Sequence, residues 1–184
     1  MATPKVYISS GTFLSDSWKL ASLVRKSGWK PDVLLALWRG GAGVGIAVHE
    51  FFKVTGWGSL RHYPLKCASY SGIGEISSDV VFTLGAETFA FISPGEKVLI
   101  VDDVLDTGKT AAALMSRMEG IGAEARIATV YRKPPSGTSR IEADYCARDL
   151  GDDWIVFPHE IEGLSRDEVF AKDPELARLI DVSK

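Results

Sequence analysis

Residues 98–110 read Val-Leu-Ile-Val-Asp-Asp-Val-Leu-Asp-Thr-Gly-Lys-Thr, so an apolar run delivers three carboxylates and then a small, hydroxyl-bearing turn. If the turn opens a helix, the free N–H groups of its first residues and the positive end of the helix dipole favour an anion, and Thr107 and Thr110 add hydroxyl donors. Gly108 allows a ligand to approach the backbone closely. Asp102 and Asp103 are adjacent and repel each other unless they serve hydroxyl donors or a cation. A ribose diol with Mg2+ supplies both. The chemistry this segment suits is the binding of a sugar phosphate together with a metal.

A second anion site is offered by Trp38-Arg39-Gly40-Gly41, which also stands between a strand-like run and a helix-like segment. Other phosphate motifs fail on spacing. A P-loop needs glycine where Asp103 stands, and the third glycine of Gly41, Gly43 and Gly45 comes one residue early for a dinucleotide fingerprint.

The elements that must position these residues alternate between strand and helix, which argues an α/β fold. Phe13 to Lys26 has helical apolar spacing, with Gly28 as a stop, and residues 33–37 form a continuous apolar strand of the kind buried on both faces. A helix follows from Ala42 to Phe52. A second unit places a strand at Lys97 to Val101, a loop at Asp102 to Gly108, and a helix from Lys109 to Glu119 that Gly120 or Gly122 would end. A third strand spans Ala125 to Tyr131, and shorter ones lie near Ala143 to Cys146 and Trp154 to Phe157. Between the two units, Tyr63 to Ile92 reads as a long mobile hairpin. The tail is helical, with a capping box at Ser165 and Glu168 and a second start at Asp173-Pro174.

The 98–110 segment resembles the motif that binds 5-phosphoribosyl-1-pyrophosphate (PRPP) in type I phosphoribosyltransferases, and it matches at every defining position. Over roughly Val33 to Glu160 the chain resembles the short xanthine-guanine-hypoxanthine type of bacteria and archaea. The resemblance implies a mostly parallel sheet flanked by helices, with a small hood from about residues 1–12 and 133–165 and a flexible catalytic hairpin at about 66–90, in one domain covering 1–184. It implies that Asp102 and Asp103 hold the ribose hydroxyls, one of them at Mg2+. Asp106, Thr107, Gly108, Lys109 and Thr110 would then cradle the 5-phosphate, with Asp106 the candidate general base.

Residues 38–41 resemble the family's pyrophosphate loop, which implies that Arg39 and the amides of Arg39 and Gly40 bind pyrophosphate and that Trp38–Arg39 is a cis peptide. Trp38 is bulkier than the family's usual residue there. Ser69-Tyr70 resembles the pair on the loop that closes over PRPP; a lid suits a reaction through a ribosyl cation that water would intercept. Lys133 matches the lysine placed for the exocyclic O6 of a 6-oxopurine, and Trp154-Ile155 the stacking position. The tail Trp154-Ile155-Val156-Phe157-Pro158-His159-Glu160 carries His159 where relatives have tryptophan, and Glu160 faces the base or a second Mg2+ in this reading.

The implied activity is transfer of the phosphoribosyl group to a guanine, xanthine or hypoxanthine base, in dimers or tetramers of like chains, with inhibition by guanine nucleotides a further implication. A transferase for another base and a PRPP-sensing regulator stay open. The 184 residues suit one core, and 46% hydrophobic with 24% charged residues excludes a disordered chain. A net charge of −3 gives no general attraction to nucleic acid. No apolar stretch approaches the roughly 18 residues of a membrane span, and no secretory leader is evident, so a cytoplasmic protein is expected. Cys67 and Cys146 are too few for a metal knuckle and are expected to be reduced.

Overall fold

The structure is a computed structural model of the whole chain, and it describes residues 4–69, 80–82, 89–134 and 141–181. The elements in chain order are β1 (Lys5–Tyr7), α1 (Ser10–Lys26), β2 (Val33–Trp38), α2 (Gly41–Val54), β3 (Arg61–Ser69), β4 (Val80–Phe82), β5 (Lys97–Leu105), α3 (Lys109–Ile121), β6 (Glu124–Arg132), β7 (Tyr145–Asp149), β8 (Trp154–Val156), α4 (Arg166–Lys172) and α5 (Pro174–Asp181). Contacts divide them into two compact units, one of Leu14–Asp152 and the other of the residues up to Phe13 and from Asp153 onward. The strand β7, within the span read from sequence as hood, belongs to the larger unit, and α4 and α5 belong to the smaller.

The larger unit is built on a six-stranded sheet in the order β4-β3-β2-β5-β6-β7. All its neighbours are parallel except β3 and β4, whose antiparallel pairing of Cys67 with Phe82 and Ser69 with Val80 forms the stem of a hairpin. The inner strands are apolar without alternation because both faces are covered. Val33, Leu35, Leu37, Val98 and Ile100 pack with Leu114 and Met118 of α3. On the other face, α2 lies so close to β2 that a Cβ on Gly45 would come within 2.6 Å of the Ala36 Cβ.

Several boundaries differ from the sequence reading. Strand β5 runs on to Leu105, because Asp102 and Val104 stay in register with Thr129 and Tyr131 of β6. The two adjacent acids therefore stand on a strand rather than in a loop. Gly122, at φ 81°, ends α3 in the left-handed conformation that glycine adopts most readily. In the smaller unit β1 pairs in parallel with β8, and the Ser165–Glu168 capping box is formed in both directions. One cavity there, of about 650 Å³, is bordered by Tyr7, Ser9, Pro158, Glu168, Lys172 and Leu176. Among the described residues no helix is long and apolar enough to cross a membrane.

Candidate active site

Parallel β2 and β5 are hydrogen-bonded neighbours, with Ala36 opposite Val101, so their C-terminal ends bring residues 38–41 beside Asp102 and Asp103. The Trp38–Arg39 peptide is cis, as the resemblance implies. Arg39 and Trp38 are exposed, and α2 starts immediately after Gly40. Gly41 donates its N–H to the Asp102 carboxylate, and a Cβ on Gly41 would lie 2.5 Å from the Val101 carbonyl oxygen. A Cβ on Gly40 would meet the Asp103 carboxylate. Both glycines are required by close approach, and the two loops form one assembly.

Asp103 is buried, and its Oδ1 accepts from the Val104 amide at 2.8 Å. Oδ1 of Asp102 accepts from the Asp103 amide at 3.0 Å. Burial, then the charge of Asp103, push the Asp102 carboxyl well above the usual carboxylate range. A shared proton or a bound cation relieves that repulsion.

A cleft of about 120 Å³ follows β5 into α3 and is bordered by Asp102, Asp106, Thr107, Lys109, Thr110 and Thr129. Gly108 caps α3 at φ 71°, a left-handed turn that glycine adopts readily, and the first amides of the helix, as in any α-helix, have no intrahelical acceptors. Thr107 and Lys109 are exposed at this turn. Sequence reasoning missed Thr129, a buried hydroxyl under the cleft that donates to the Tyr131 carbonyl at 2.8 Å. Its hydroxyl within the apolar run Ile127-Ala128-Thr129-Val130 was the available signal.

Lys133 Nζ lies 3.9 Å from Asp106 Oδ2, and the lysine side chain is 15% exposed against 52% for the aspartate. Both border a cavity of about 440 Å³ with Thr107, Pro134 and Glu142. The structure thus joins Arg39, Gly40, Asp102, Asp103, residues 106–110 and Lys133 within the larger unit.

Trp154, Ile155 and Glu160 belong to the smaller unit. Trp154 is exposed and Ile155 buried. Glu160 Oε2 accepts from the Phe157 amide at 3.2 Å, and Lys172 Nζ donates to the carbonyls of Phe157 and Glu160. His159 stacks on Phe157 at 5.6 Å between ring centroids. Tyr70 lies outside the described residues, and of Ser69 only the backbone, at the end of β3, is described.

The phosphoribosyl transferase domain family matches residues 12–165. The chain belongs to this family. A hypoxanthine-guanine phosphoribosyltransferase of Lactococcus lactis is 32% identical over 48% of this chain and 47% of its own length, so the chain spans about half the length of that curated relative. Among solved structures, a purine phosphoribosyltransferase from Pyrococcus horikoshii superposes with a TM-score of 0.69 at 28% identity, over 88% of this chain and 97% of that one. A Neisseria gonorrhoeae protein with bound ppGpp shares the fold, with a TM-score of 0.74 at 18% identity over 100% of this chain and 99% of that one.

The acids present fit the Mg2+ that the family implies. Asp102 and Asp103 are hard oxygen donors whose repulsion a cation would offset. No cluster of three or more metal-ligating side chains occurs among the described residues. Mg2+ is commonly held by one or two carboxylates together with substrate oxygens and water, and Asp102 and Asp103 could supply the carboxylates.

Proposed function

We propose that the protein transfers the 5-phosphoribosyl group of PRPP to N9 of a 6-oxopurine, giving the nucleoside monophosphate and pyrophosphate, in purine salvage. The observation that carries this reading is the convergence of Asp102, Asp103 and the 106–110 turn with the Arg39–Gly41 loop, with Lys133 beside Asp106.

In this reading Asp102 and Asp103 orient the ribose hydroxyls, and residues 106–110 hold the 5-phosphate through amides and hydroxyls. Arg39 and the amides of Arg39 and Gly40 hold the pyrophosphate. Mg2+ at Asp102, with a second ion at Glu160, would neutralise phosphate charge as pyrophosphate leaves. The base N9 forms a bond to C1 of the ribose as the C1–oxygen bond to pyrophosphate breaks, with inversion at that carbon. The proton lost by the base passes to Asp106. Ser69 and Tyr70 close over the reacting centre. Lys133 donates to O6, and Trp154, by stacking, and Ile155 contribute to base binding. Positioning and electrostatics supply most of the rate. A cytoplasmic place, dimers or tetramers of like chains and inhibition by guanine nucleotides belong to the same reading.

The test is pyrophosphate release from PRPP and Mg2+ against guanine, xanthine, hypoxanthine, adenine, orotate and uracil. Turnover confined to the three oxopurines is the expected result. Turnover with adenine or a pyrimidine alone assigns another base, and binding of PRPP without turnover of any base assigns a regulator.

A further inference from the structure

Asp16 of α1 is wholly buried. Its Oδ2 accepts from the Tyr131 hydroxyl at 3.0 Å, and its Oδ1 accepts from Arg148 Nη2 at 3.1 Å and Lys19 Nζ at 2.7 Å. Tyr131 is itself fully buried and stands opposite Arg148 in the β6–β7 register, so one carboxylate ties α1 to two adjacent strands. Burying the Asp16 carboxylate costs several kcal/mol in desolvation, while its cationic partners Lys19 and Arg148 stay about half exposed, and a well-packed apolar side chain often stabilises a fold equally well. The use of such a group is therefore sought in the residues it holds in place.

Directly after Tyr131 the chain reaches the end of β6. Arg132 Nε donates to Asp149 Oδ1 at 2.7 Å, and the Arg132 carbonyl accepts from the Leu150 amide at 2.9 Å. Lys133 donates its amide to the Leu105 carbonyl at 3.2 Å, one residue before Asp106. Lys133 thus leaves a strand end fixed from β5, from β7 and, through Tyr131, from α1. Tyr131 and Lys133 are two residues apart on an extended chain, so a shift of one is passed directly to the other.

We infer that Asp16 and Tyr131 are positioning residues that set Lys133 against Asp106 and thereby tune affinity for the purine base. The inference rests on the proposed base-binding role of Lys133.

Tyr131→Phe removes one hydroxyl from a packed ring and is the primary variant; Asp16→Asn is the second. KM for the accepted oxopurine and KM for PRPP are measured for each, alone and combined with Lys133→Ala, with thermal unfolding alongside. We expect Tyr131→Phe to raise KM for the base about tenfold with KM for PRPP unchanged, between no effect and the ~100-fold that a 1 Å misplacement can cost. In the Lys133→Ala background the same change should add nothing, since the coupled residue is gone. An equal rise in both KM values, an effect that persists fully without Lys133, or an unchanged KM for the base overturns the inference while leaving the role of Lys133 intact. If Lys133→Ala alone leaves KM for the base unaltered, the role of Lys133 fails and the inference fails with it.

Discussion

The Asp103 carboxylate lies against the Cα of Gly40, so that a Cβ there would come within 2.0 Å of Oδ2 and 2.2 Å of Cγ. Asp103 is a short, buried side chain whose Oδ1 is held by the Val104 amide. Gly40→Ala must therefore swing the carboxylate away. Because the obstructing atoms belong to a side chain, the backbone can keep its course. We expect a loss of ~100-fold in kcat/KM for PRPP, the scale of a 1 Å misplacement, with little change in melting temperature. Near-normal kcat/KM would remove Asp103 from ribose binding.

Gly41→Ala makes the complementary case. The nearest atom to its added Cβ is the Val101 carbonyl oxygen at 2.5 Å, which belongs to the central strand β5 and cannot rotate away. The expected result is destabilisation at the ~1–3 kcal/mol or more typical of overpacking, read as a lower urea midpoint with an unchanged slope. A midpoint equal to that of Gly40→Ala would mean that the α2–β5 contact is looser than it stands.

The contrast between these glycines shows what could be read from sequence. The 98–110 motif and the Trp38–Gly41 loop are local patterns, and their strands announce themselves as uninterrupted apolar runs. Their meeting depends on β2 and β5 becoming sheet neighbours, which no local pattern states. Asp102 and Asp103 suggested a loop because acids are poor strand formers, yet ladder bonds to β6 use only the backbone. Strand β1, at three residues, is too short for a periodic signal. Two of the three partners of Asp16, Tyr131 and Arg148, lie 115 and 132 residues away. A hint was present all the same, since Asp16 sits between Phe13 and Leu20 on the face of α1 that the core buries.

Asp106 and Lys133 divide the proposed chemistry between rate and recognition. Asp106→Asn keeps the shape of the side chain but removes its ability to take a proton, so kcat should fall by about 10² to 10⁴ with the base KM little altered. Lys133→Ala should instead weaken 6-oxopurines selectively and narrow their advantage over adenine. Steady-state kinetics on the base panel separate the two. Turnover of every oxopurine at the wild-type rate by Asp106→Asn would end its assignment as the base.

Asp16 should also leave a mark on acid stability. Burial alone would raise its pKa, but hydrogen bonds from Lys19 and Tyr131 and the charge of Arg148 outweigh burial and hold the carboxyl below its ordinary value. A group whose folded pKa is depressed stabilises the fold above its unfolded value of about 3.9, and that stability is lost as the pH falls through the folded value. Asp16→Asn cannot titrate. The difference in melting temperature between wild type and Asp16→Asn should therefore be full at neutral pH and begin to close below about pH 4. Thermal unfolding followed from pH 7 into the acid range measures this. A gap that stays constant as the pH falls would show that the network acts by packing and hydrogen bonding alone, with no contribution from the ionised carboxylate.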